Sequence, residues 1–251
     1  MNSMIKFLLL GLYLPLFWFM STLNHKLKLK KEQPTSSINF PVREVDSLEY
    51  SLHIVEMQDS FGNNKFIIPK YKLQCLIALS FFPEFKNIHI DFIYSSISTT
   101  MQCKPTINSI RRDPDAKEYI IAINNNELFE GVLLNNVPFN AQIGVISHEL
   151  CHILDYERQS TLGILHRGLE YFNDVNKKEY EQYIDSLTIS RGLGWQLYDW
   201  SDYVLNKSNA TMDYKNFKRK IYLTPQKILN LIGYDHNYKN ALPHGQIIYE
   251  K

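Results

Sequence analysis

The chain predicts an α+β fold: a small mixed sheet packed on a buried helix that carries the chemistry, a mainly helical C-terminal half, and an apolar helix at the N-terminus. Three observations predict it. Ile88, Ile90, Phe92 and Tyr94 alternate with more polar neighbours, and Tyr119–Ile123 is a short apolar run bounded by Asn124, Asn125 and Asn126, so the middle of the chain reads as strands. From Ala141 to Leu154 the sole charge is Glu149, as in a helix buried on most sides. From about Lys177 to Val204, and again after Pro225, apolar residues recur at helical spacing.

Taken in order, the chain opens on Phe7–Leu23, an uncharged and mostly apolar run. As a helix it extends roughly 26 Å at ~1.5 Å per residue, against a hydrocarbon core of ~30 Å. Residues 1–23 are expected to be a signal peptide or membrane anchor. An uncleaved anchor is preferred, because no small-x-small pair stands at the end of the run. The expected location is membrane-anchored or secreted, on the extracytoplasmic side. Lys26, Lys28, Lys30 and Lys31 follow the run whereas Lys6 precedes it, which keeps a cytoplasmic-facing anchor open. Residues 24–40, polar and Lys-rich, read as a tether, and residues 41–251 as the folded domain.

Composition excludes some roles. A net charge of +1 and a charged fraction of 21% give no field for nucleic acid, so no nucleic-acid partner is expected. Cys75, Cys103 and Cys151 are too few for a disulfide scaffold, although a Cys75–Cys103 pair stays open. Cys151 reads as a small apolar filler.

Within the domain, alternation around Tyr50, Leu52 and Ile54, then Gly62-Asn63-Asn64 and Phe66-Ile67-Ile68, predicts two strands or a loose hairpin. Tyr71–Phe82 predicts a helix stopped by Pro83. A strand with one buried face follows at Ile88–Tyr94, with His89 towards solvent. Arg111, Arg112, Asp113 and Pro114 read as a solvated turn. Tyr119–Ile123 is a further strand and a candidate edge for an extended substrate. Asn140 is expected to cap the next helix. In the C-terminal half, Gly192 and Gly194 predict either close packing against that helix or a kink. Thr224-Pro225 predicts a helix start, with Ile228, Leu229 and Ile232 as its buried face and Gly233 as its stop. The tail with His236, Tyr238 and His244 is expected at the surface.

The chemistry centres on His148-Glu149-x-x-His152. Imidazoles four apart share one helix face and can reach a single tetrahedral cation, while Glu149 on the adjacent face can take a proton from water. A third ligand is needed. The longer pattern His-Glu-x-x-His-x-x-Gly-x-x-His fails, because Asp155 and Arg158 stand where Gly and the last His should be. A second route is Glu181, with Asp185 one turn on to accept the free ring N–H of a ligating His. Glu179 competes but has capping-box spacing from Asn176, and Glu181 and Asp185 could also be a solvated face. His166, fourteen residues beyond His152, is the alternative third ligand. For a transition-state oxyanion, Tyr198, His236 and His244 are the candidate donors.

His148-Glu149-x-x-His152 followed after 29 residues by Glu181-x-x-x-Asp185 resembles the gluzincin branch of zinc metallopeptidases. The resemblance covers about residues 119–205. It implies a zincin-like domain in which His148, His152 and Glu181 bind Zn2+, Glu149 is the general base and Asp185 orients a ligating His. No Asn precedes Glu181 as in the thermolysin-like members, so the subfamily is not identified. The expected activity is zinc-dependent hydrolysis of a peptide or protein substrate, with the membrane as a further partner through residues 1–23. The rival is a non-catalytic, membrane-tethered binding domain with a structural zinc, for which His166 would be a fourth ligand. Oligomeric state and cleavage specificity are not legible.

Overall fold

Strands β1 (Lys65–Phe66), β2 (His89–Ser95), β3 (Met101–Pro105) and β4 (Glu118–Asn124) form one sheet in the spatial order β1-β2-β4-β3. The structure, a computed structural model, describes residues 41–106, 118–160, 163, 164, 168 and 173–239. The expected anchor and tether, the Arg111-Arg112 turn, His166 and His244 lie outside the described residues. Among those described, no helix is long and apolar enough to cross a membrane.

β2 runs parallel to β1 and to β4, and β3 pairs antiparallel with β4, Met101 opposite Ile123 and Cys103 opposite Ile121. The apolar run at Tyr119–Ile123 is thereby explained. β4 lies inside the sheet, where Tyr119, Ile121, Ala122 and Ile123 are all buried. This corrects the expectation that it is an edge. Among the described residues the edges are β1 and β3, and β3 is a strand not evident in the sequence, with Met101 and Cys103 turned inwards and Gln102 and Lys104 exposed. His89 does face solvent.

The expected hairpin near Tyr50 is instead two helices, α1 (Ser47–Ser51) and α2 (Ile54–Phe61). Asp46 starts the first by accepting from Leu48 N and Glu49 N. Tyr50 and Met57 point into the core, while Leu52 and Val55 are exposed, so apolar residues on both faces imitated a strand's alternation. The next helix is as expected: α3 (Lys72–Leu79) buries Cys75 to Leu79. Cys75, Cys103 and Cys151 are all free and buried.

α4 (Phe139–Glu157) carries the His148 motif and is buried from Asn140 to Tyr156. It packs against β3, α3, α5 (Asp174–Thr188) and α6 (Gly194–Asp202). Asn140 does not cap it. Pro138 occupies that position with φ −58°, and the Asn140 side chain accepts from Val45 N and donates to Arg43 O, fastening residues 43–45 to the start of α4. Gly144 sets the approach of α4 to α6, since a Cβ there would lie 2.1 Å from Gln196 O.

α5 is capped by Asn173, which accepts from Val175 N and Asn176 N, so Glu179 is an exposed mid-helix residue and not the cap partner. Between α5 and α6 a π-helical turn at Ile189–Leu193 contains Gly192 at φ +90°, a kink that side-chain-bearing residues rarely adopt. Gly194 packs on Tyr238, whose hydroxyl takes Gly194 N at 2.6 Å and donates to Ile189 O. Tyr238 is thus buried, against the expected surface tail. α7 (Met212–Ile221), unread in the sequence, follows Thr211, which accepts from Tyr214 N. α8 (Pro225–Tyr234) starts at Pro225 and buries Ile228 and Ile232, but runs past Gly233.

Candidate metal centre

His148 and His152 occupy successive turns of α4, and Glu181 reaches them from α5. All three are buried, at 5%, 4% and 2% exposure, and their donor atoms lie within 4.8 Å of one another. Glu181 Oε2 is 3.1 Å from His148 Nε2 and 3.5 Å from His152 Nε2. Two ligands bound tetrahedrally at ~2.05 Å lie about 3.3 Å apart, so the spacing suits one small cation.

The remaining ring nitrogens are accounted for. His148 Nδ1 is 2.9 Å from Asp185 Oδ1, and His152 Nδ1 is 3.2 Å from the Tyr180 hydroxyl. That hydroxyl donates to Asp155 Oδ2 at 3.2 Å, so its oxygen is left to accept from His152 Nδ1–H. Both histidines therefore present Nε2 to Glu181. The two imidazoles and one carboxylate form a buried group that could hold a metal ion.

Electrostatics agree with this arrangement. Burial works against an imidazolium at His148, but the hydrogen bonds it donates to Asp185 and Glu181 outweigh it and raise its pKa to about 10. Burial also works against the Glu181 carboxylate, yet His152 and His148 hold it well below the usual range. The site is thus built to keep a carboxylate charged beside cationic character.

A cleft of about 470 Å3 opens over the group. Its lining includes Glu149 with His148, His152 and Glu181, the β3 stretch Met101–Pro105, and the rings of Tyr156 and Tyr222. Glu149 thus stands beside the three donors without joining them. Burial first, and then Glu149, push the Cys103 thiol well up, so this cleft residue stays protonated.

Sequence reasoning placed His148, Glu149, His152, Glu181 and Asp185, and the structure brings all five together. The oxyanion candidates fare differently. Tyr198 packs on Trp195 beneath Arg43, and His236 is exposed; neither lines the cleft. Tyr222 does, its ring centroid 5.7 Å from that of His148. It reaches the cleft because Leu223 N donates to Asp185 Oδ2 at 2.8 Å, which pins the chain just after α7. The Thr211-x-x-Tyr214 cap and the basic last turn of α7 were visible signs of that helix, but nothing in them indicates a cleft. Tyr180 was also missed, although it directly precedes Glu181.

Compared with known proteins, the chain matches no family model, no curated protein and no solved structure.

Proposed function

We propose that the chain is a zinc-dependent metallopeptidase with a zincin-like domain and a gluzincin-type centre. The observation that carries the reading is the convergence of His148 Nε2, His152 Nε2 and Glu181 Oε2 beside Glu149, in a cleft bordered by an edge strand. The donor set among the described residues, two imidazoles and a carboxylate, is that of catalytic zinc, whereas a closed structural zinc takes four protein ligands. When bound, zinc would supply Lewis acidity to the scissile carbonyl and to a water.

The chain's own groups do the rest. An extended peptide lies along β3, whose outer edge lines the cleft, and main-chain pairing orients the scissile bond. Glu149 takes the proton of the attacking water and delivers it to the leaving amine. Asp185 and Tyr180 hold the two imidazoles in the tautomer that presents Nε2. Tyr222, on the cleft wall beside His148, is the best-placed donor for the developing oxyanion. Residues 1–23 would hold the domain at a membrane, on its extracytoplasmic side.

The test measures zinc per chain and cleavage of a broad peptide library by wild type and Glu149→Gln. Equal zinc in both, with cleavage by wild type alone, supports the peptidase. Zinc without cleavage by either would favour a structural site, and a wild type that takes up no zinc would sink both readings.

A further inference from the structure

Lys218, in the last turn of α7, has no part in the chemistry above. Its contacts are aromatic: the ammonium lies 3.4 Å from the ring centroid of Tyr222 and 5.6 Å from that of Trp200. It faces a cavity of about 20 Å3, room for a single water, whose lining it shares with Asp185, Ser201 and Tyr222. Tyr222 lines both this cavity and the cleft, so one ring separates Lys218 from the metal group.

Charge gives that placement a meaning. Glu149, Glu181 and Asp185 are buried together and are the three carboxylates that attract the Lys218 ammonium. With Asp155, buried behind Tyr180, these carboxylates outnumber the charge of one divalent cation, and a buried excess charge is costly. Lys218, together with Lys177 on the cleft wall, supplies positive charge without competing for a ligand atom. Burial pulls its pKa down to about 8 against the pull of those carboxylates, a desolvation that a purely structural lysine could avoid by turning outwards.

We propose that Lys218 is a cation of the metal centre, a positioning residue that acts through the Tyr222 ring and the Asp185 cavity to offset the excess carboxylate charge and to set how tightly the metal is held. The proposal rests on the reading of His148, His152 and Glu181 as metal ligands. A positive charge close to a divalent ion raises the ion's free energy, so removing it strengthens metal binding, the reverse of what a damaged site does.

The experiment is zinc titration of the full chain against a chromophoric chelator, for wild type, Lys218→Met and Lys218→Arg, with thermal unfolding of the zinc-free proteins as the fold control. The Met chain should bind zinc about three- to thirtyfold more tightly and the Arg chain within about twofold of wild type. Lys218→Gln, neutral with a polar head for the cavity, repeats the comparison if the Met chain does not fold. Equal or weaker binding by a folded neutral variant, or equal shifts for Met and Arg, would overturn the role of Lys218 while leaving the metal site standing. Absence of zinc binding by wild type would overturn the site reading, and the proposal with it.

Discussion

Asp185 holds His148 Nδ1 at 2.9 Å on one carboxylate oxygen and Leu223 N at 2.8 Å on the other. A single side chain on α5 thus orients an imidazole of α4 and positions the segment that carries Tyr222 to the cleft. Its two acceptors are both engaged, and an amide cannot replace them.

In Asp185→Asn the NH2 group must face either His148 or Leu223 N, and both are donors. Metal affinity should fall about 10- to 100-fold in a chelator competition. The buried unsatisfied donor should also cost about 1–3 kcal/mol in urea unfolding. Wild-type affinity in this variant would show that the carboxylate does not orient His148.

Tyr180 is the corresponding support of His152. Tyr180→Phe keeps the ring packed 5.4 Å from the imidazole but removes the oxygen that accepts from Nδ1. Zinc affinity should drop about tenfold with the far-UV circular dichroism unchanged. A loss confined to stability, with normal zinc binding, would make Tyr180 a packing residue alone.

Gly144 tests the scaffold rather than the site. A methyl group at this position would meet the backbone of Gln196 and Leu197 and not a movable side chain. Gly144→Ala should therefore force α4 and α6 apart and cost about 3 kcal/mol by denaturant titration, at the upper end of overpacking effects. An unchanged unfolding midpoint would show that this approach is loose.

Lys218 also makes a pH prediction. Burial holds its folded-state pKa at about 8, against an ordinary value of 10.5. Between those two values the unfolded chain carries the proton and the folded chain does not. Stability contributed by this group therefore rises as pH increases through that window. The shifts at His148 and Lys65 are common to both chains, so the stability difference between wild type and Lys218→Met should grow in favour of wild type from about pH 8 to 10 in urea unfolding; a difference that does not change with pH would contradict it.

Much of the candidate site was legible because its spacing is local. His148 and His152 share a face by helical period alone, and Glu181 and Asp185 do so again. The misread elements have particular causes. Exposed Leu52 and Val55 turned two short helices into an apparent strand, and only the Asp46 cap distinguishes them. β3 shows just two inward residues, Met101 and Cys103, too few for a period to emerge. Asn140 has a capping residue's chemistry but spends it on Val45 and Arg43.

By itself the sequence determined two helices with chemical faces, a buried strand at Tyr119–Ile123 and the absence of any framework of paired cysteines. Only the tertiary structure decided that β3 is the cleft's edge, that Tyr180 and Asp155 support His152, and that Lys218 and Tyr222 stand behind His148. The physical reason is range. Periodicity and capping are written over three or four neighbouring residues, whereas these partners meet across loops and sheet order, through packing such as that of Gly144 on Gln196, which no local pattern records.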